Sequence, residues 1–296
     1  MKLALAPLIY CWSKTKVMDF YQAMANTDIA TFYIGEQVCR RRRLMKNVDY
    51  LQLAKMLTDQ GKRVVLTSLA LIESDKDFGL VEELAQLSQQ QGLELELQAN
   101  DLGSAALFRE QGLKFHVGCA INCYNLASLK QLVDWGMVSY QPPVELAQEE
   151  LVVLMRQAEE AGIRDQFELQ VHAWGYLPLA YSARCFTARQ ARLTKDSCNT
   201  ICQKDSNGKL CQTQDGQPLL RLNGIQTQSA HNQNLFADIP SLVALGADSL
   251  AISPNQALVP EKVAQMQQAI IEEQNLALGA NDCNGYWYGK AGMATL

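Results

Sequence analysis

The strongest constraint in this sequence is a rhythm: strand-like and helix-like segments alternate in about eight units of roughly 30 residues, with glycine closing most of the helices. Leu3–Tyr10 is an apolar run and Val17–Ala25 has helical spacing. Ile29–Gly35 is β-branched and aromatic, and Asn47 reads as the N-cap of a helix Val48–Gln60. The strand Arg63–Leu71 precedes a helix Asp75–Gln91 closed by Gly92. Leu93–Ala99 (LELELQA) then alternates with a strict period of two. The pattern continues through a helix capped by Asp101, a strand Lys114–Ile121, a helix Asn125–Trp135 and a short strand Met137–Tyr140. A helix Gln148–Ala161 and a seventh strand Phe167–His172 follow. After a long gap come a helix Ile239–Leu245, a strand Ser249–Ser253 and a helix Pro260–Asn275.

A barrel of eight units and an open doubly wound sheet both fit such a chain. The unit count, and the absence of G-x-G-x-x-G after any strand, favour the barrel. The expectation is α/β: a parallel (β/α)8 barrel-like domain over residues 1–296, with a long Cys-containing insertion, 173–237, after the seventh strand. The insertion should sit at the C-terminal mouth, where barrel enzymes place their chemistry.

Composition narrows the function. With 48% hydrophobic and 19% charged residues the chain is an ordinary globular one, and its net charge of −5 argues against general nucleic-acid binding. No apolar stretch approaches the 18 residues of a membrane span, and the opening MKLALAPLIY reads as a strand, not a signal peptide. Nine cysteines without an export signal fit a reducing, cytoplasmic compartment, where thiols bind metals or pack as small hydrophobes.

Three of those cysteines, Cys185, Cys198 and Cys202, lie within 18 residues of the insertion at C-x12-C-x3-C spacing, and Cys39 lies just past the second strand. Thiolates in such a group suit iron–sulfur clusters and zinc. The spacing matches neither paired C-x-x-C nor a ferredoxin run, so it leaves both open. Cys211 is a spare candidate beside a hairpin-like stretch, GKLCQTQDGQPLLRL. Cys11, Cys119 and Cys123 read as core, and Cys283 as structural. The basic run Arg40–Arg43, with Lys46, is either a solvated face or a positive patch beside anionic thiolates.

Of the three histidines, His172 ends the seventh strand and should point toward the mouth, His116 lies in the wall, and His231 lies in a polar loop. A three-histidine zinc site is excluded, and no G-x-S-x-G supports a serine nucleophile. Polar residues at strand ends are Glu36, Ser68, Asn100, Asn122, Glu145 and Asp282. Glu36, Glu145 and His172 are the catalytic candidates; capping of the following helix is the plainer role for Asn100 and Asp101.

The segment Val171–Asp205 (VHAWGYLPLAYSARCFTARQARLTKDSCNTICQKD) resembles the bacterial collagenase-like peptidase family. YIGEQVCRRR around Cys39 and the closing NGYWYGKAG, Asn284–Gly292, add to the likeness. The resemblance spans essentially the whole chain. It implies a barrel, a [4Fe-4S] cluster on Cys39, Cys185, Cys198 and Cys202, and a heterodimer with a sister subunit that carries a cluster of its own. It further implies a lipid-carrier-like partner and a role in oxygen-independent hydroxylation of the ubiquinone ring, with prephenate as oxygen donor. No peptidase machinery is evident: there is no H-E-x-x-H and no nucleophile–base pair. Two other functions stay in view, RNA base hydroxylation as in other family members, and a non-catalytic docking subunit with a structural metal.

Overall fold

The computed structural model describes residues 1–42, 44–89 and 93–296. In chain order the first part runs β1 (Lys2–Leu5), α1 (Lys14–Ala25), β2 (Ile29–Ile34), α2 (Asn47–Asp59), β3 (Arg63–Thr67), α3 (Asp75–Ser88), β4 (Leu95–Ala99) and α4 (Leu102–Glu110). It continues with β5 (Phe115–Val117), α5 (Leu126–Asp134), β6 (Met137–Tyr140), α6 (Gln148–Glu160) and β7 (Glu168–Tyr181). The remainder is α7 (Phe186–Gln190), β8 (Lys209–Gln212), β9 (Pro218–Asn223), β10 (Gln226–Asn234), α8 (Ile239–Ala244), β11 (Ser249–Ile252), α9 (Pro260–Glu272) and β12 (Asp282–Cys283).

Strands β1 to β7 pair in parallel and in sequence, and β11 closes the ring by pairing with both β7 and β1. The result is a closed (β/α)8 barrel of the TIM type. Strand alternation explains its two faces. Leu3, Leu5, Phe32, Ile34, Val64 and Leu66 join a core with helix residues such as Tyr21, Leu53 and Leu57, while Ala4, Tyr33 and Val65 form a small separate cluster. Burying each such leucine stabilises the fold by about 1.5–3 kcal/mol. The alternation of LELELQA also resolves here: Glu96 and Gln98 occupy the barrel-interior register opposite Val65 and Thr67, so the polar face of this strand is turned inward.

Several boundaries move from their sequence positions, for local reasons. Asn47 is not the N-cap of α2 but its first residue; the Asp49 carboxylate accepts the Lys46 N–H at 2.8 Å, closing the helix start from inside. Asp101 and Asn125 do cap α4 and α5, accepting from Gly103 N and Ser128 N. Helix α3 ends at Ser88; the expected stop at Gln91 and Gly92 lies outside the described residues. The seventh strand does not end at His172. It runs to Tyr181, because beyond the barrel β10 pairs with it antiparallel, Asn234 against Trp174 and Gln226 against Tyr181. The polar gap is therefore partly sheet, with the expected hairpin as β8 and β9 and the latter paired to β10.

Gly35, just past β2, has φ +131°, and a Cβ there would lie 2.9 Å from the Thr67 carbonyl. Only glycine allows the chain leaving β2 to pass so close to β3, and that close passage brings the segment carrying Glu36, Cys39 and Arg42 over the mouth.

Candidate functional site

The site is built around one buried cation. Arg42 donates from Nη1 to the Ile9 carbonyl at 2.6 Å and from Nη2 to Asn223 Oδ1 at 2.7 Å. Asn223 in turn donates to the same Ile9 carbonyl at 2.7 Å and to Gln226 Oε1 at 3.0 Å. The loop after β1, the loop after β2 and the turn between β9 and β10 are thus fastened at one point. The Glu36 carboxylate stands 3.9 Å from Arg42 and accepts the N–H groups of Val38 and Cys39 at 2.8 and 3.0 Å, which fixes the loop bearing Cys39. The Nε of Arg42 is buried with no hydrogen-bond partner among the described residues.

Thiols surround this guanidinium. Cys39, Cys11 and Cys202 all lie within its electrostatic reach. Cys185 feels Cys202, Cys198 and Arg42. Cys185 caps the short α7, accepting the Ala188 N–H at 3.4 Å, and α7 is tied to the β9–β10 turn by Gly224 N to Thr187 Oγ1 at 3.0 Å. Cys202 sits in a single helical turn, Ile201–Lys204, entered through a left-handed Thr200. The Cys202 thiol is lowered to about 6, first by the neighbouring Cys11 thiol and then, against the effect of burial, by Arg42. The Cys11 thiol is raised correspondingly, by Cys202 and by burial. Burial raises Cys39 and Cys185, and raises Glu36 despite Arg42 and its two backbone donors.

These groups converge without closing. Among the described residues, no three His, Cys, Asp or Glu side chains stand close enough to hold a metal ion. The chemistry of the donor set nevertheless fits a thiolate-ligated soft metal: several thiols share one neighbourhood with a buried cation that keeps an unused N–H.

The other candidates lie elsewhere or do other work. Cys211, on β8, makes only a weak contact with the Lys209 carbonyl. Cys123 and Cys283 are buried, the latter on β12, and Cys119 is half-buried. The basic run is not a uniform solvated face: Arg40 pairs with Asp77 and Arg41 with Asp196, both at 2.5 Å, while Arg42 is buried. Arg43 lies outside the described residues. His172 is buried apart from the thiols, near Pro143 and Gln233; burial lowers it to about 4 and its Nε2 is unpartnered among the described residues. Glu145 is exposed and bonded to the Tyr124 hydroxyl.

His116 bonds Tyr33 and Glu96 within the barrel, and His231 lies on β10. Asn100 joins Ser68, Thr67 and Gln37 in a buried network, so it does not cap α4. Asn122 is exposed, and Asp282 accepts from Asn234 and Gly279. The sequence offered Arg42 only within a basic run, as one of two readings, and placed Cys11 in the core, where it is buried, without a link to the other thiols; Asn223 it did not single out. Cys11 does follow the first strand, at the position where Cys39 follows the second, and that parallel was the available signal.

A family model described as Peptidase family U32 matches residues 13–274. Among solved structures, a U32 peptidase aligns at 10% identity over 86% of this chain and 93% of its own, with a TM-score of 0.46. Dihydropteroate synthase from Thermus thermophilus aligns at 11% identity over 92% of each chain, with a TM-score of 0.44. No described helix is long and apolar enough to cross a membrane.

Proposed function

The chain belongs to peptidase family U32, and on that premise we propose that it is an iron–sulfur subunit of an oxygen-independent ubiquinone-ring hydroxylase, similar to the ubiquinone biosynthesis protein UbiV. It would act with a UbiU-like sister subunit as a heterodimer and with a UbiT-like lipid carrier. The observation that supports this reading is that Cys39, Cys185 and Cys202 share the neighbourhood of buried Arg42 at the barrel mouth, with Cys198 near Cys185.

Those four residues would hold a [4Fe-4S] cluster, which when bound supplies one-electron transfer. The rest is the work of this chain. Glu36 holds the Cys39 loop through two backbone N–H groups. Arg42 would balance thiolate charge, and its Nε–H has no partner among the described residues and is free to donate. The turn at α7, pinned through Thr187 to Gly224, sets Cys185 against the mouth. Cys11 is a fifth thiol beside the set and lowers the neighbouring Cys202 thiol.

The test is anaerobic purification followed by an absorption spectrum and iron and sulfide analysis. Wild type should carry about four iron and four sulfide per chain. Cys198→Ala and Cys39→Ala should each lose the visible absorption and abolish hydroxylation in cells grown without oxygen, while Cys211→Ala keeps both. Zinc without iron or sulfide would overturn the redox reading. Loss of the cluster in Cys211→Ala with retention in Cys39→Ala would overturn the ligand set.

A further inference from the structure

We propose that the groove between α2 and α3 binds a small amphiphile, with one long apolar chain lying between the helices and an acidic aromatic head at the barrel mouth. Helix α1 packs on α2 and α3 on α4, while α2 and α3 are bridged at their polar edge by the Asn47–Glu83 hydrogen bond of 2.8 Å. Between them lies a cavity of about 620 Å³, within the range of ordinary small-molecule sites. Helix α3 turns Leu80, Leu84 and Leu87 toward it, one stripe at helical spacing, and Tyr50 and Leu51 of α2 face them. All five are half-buried.

Gly79 supplies a second, independent sign. Glycine weakens a helix interior, yet a Cβ at this position would meet nothing within 4 Å. Packing therefore does not require a glycine there, and its effect is to widen the groove it lines.

The lip is cationic. Lys46 and Lys76 line it, and among the described residues neither has a carboxylate within 4 Å. Arg40 is committed to Asp77, and Glu83 accepts from Asn47. At the inner end the groove meets Glu36 and Arg42, the same pair that faces the thiols. A ligand lying along the groove therefore brings its head to the edge of the candidate redox centre. The aromatic head rests on the proposed hydroxylase reading; the apolar chain and the acidic group rest on the groove alone. A prenyl and an acyl chain share this chemistry, so the experiment separates them.

The experiment measures binding of 3-farnesyl-4-hydroxybenzoate, 4-hydroxybenzoate and palmitate to the full chain by calorimetry, with iron content recorded for every sample. The farnesylated acid should bind at least about 100-fold tighter than the acid without its chain. Gly79→Trp, which fills the groove, should weaken that binding at least about 10-fold with iron content unchanged. Lys46→Glu, on an exposed side chain, should weaken it about 3- to 10-fold without disturbing the fold, and decides the matter if Gly79→Trp does not fold. Equal binding of the two hydroxybenzoates, or binding indifferent to both variants, would overturn the site. Palmitate binding as tightly as the farnesylated acid would keep the chain site and overturn the aromatic head. Iron absent with binding intact counts against the cluster, whereas iron present with no binding counts against the groove.

Discussion

Two arginines mark the two ends of the barrel, and their surroundings differ in kind. At the N-terminal end Arg63 grips Glu96 through two bonds of 2.5 and 2.7 Å and Glu168 through a third of 2.7 Å. His116 joins Glu96 at 2.7 Å and Tyr33 at 2.8 Å, and Gln170 reaches Tyr33 at 3.1 Å. Acceptors there match donors, and the network is only partly buried. At the mouth Arg42 is buried, meets its one carboxylate among the described residues at 3.9 Å, and keeps an unused N–H among thiols. Burial pushes Glu96 up, but its bonds from His116 and Arg63 win and hold it at about 2; burial dominates at Glu36, which moves the other way. A saturated ion network is a fastening, whereas a buried cation short of anions is a place prepared for more negative charge.

Arg42→Met should break this contrast most severely. It removes the cation beside a half-buried carboxylate and the donor to two buried neutral acceptors, and should cost about 3–5 kcal/mol in urea unfolding. It should also lower the iron retained after anaerobic purification, an effect that simple destabilisation at the other end must not reproduce. Arg63→Met is that control: about 1–2 kcal/mol lost, because the network is part-exposed, with iron content unchanged. Equal iron loss in both variants would erase the distinction.

The smallest effect is one of pH. Glu96 is depressed in the folded state, so its stabilisation is present above the ordinary carboxyl value of 4.5 and disappears as pH falls toward about 2. The gap in urea midpoint between wild type and Glu96→Gln should therefore shrink steadily from pH 6 to pH 3. A constant gap would mean that the carboxylate is not held by charge.

How legible each end was in the sequence follows from the range of its contacts. The barrel repeats a local unit, so apolar spacing, caps such as Asp101 and closing glycines exposed nearly every strand and helix. The outer wall of the insertion depends on pairing between β7 and β10, some 50 residues apart, as in Gln226 with Tyr181, and no local pattern announces it. Arg42 was legible only as one of a run, for another reason. Four consecutive arginines look solvated, and only the meeting of Ile9, Glu36 and Asn223 makes one of them interior. The groove left a single trace, a glycine inside a helix, since a cavity between α2 and α3 has no composition of its own.

The knot at Arg42 also sets an order of events during synthesis. Its partners lie 33 and 181 residues away along the chain, and the bond from Asn223 to Ile9 spans 214. At ordinary elongation speeds of about 5–20 residues per second, Arg42 waits roughly 10–40 s for Asn223 to leave the ribosome. Cys11 and Cys39 emerge early and Cys202 late, so the nascent chain carries unprotected thiols through that interval. Assembly of the proposed metal centre consequently waits for the second half of the chain, which arrives to cover the thiols of the first.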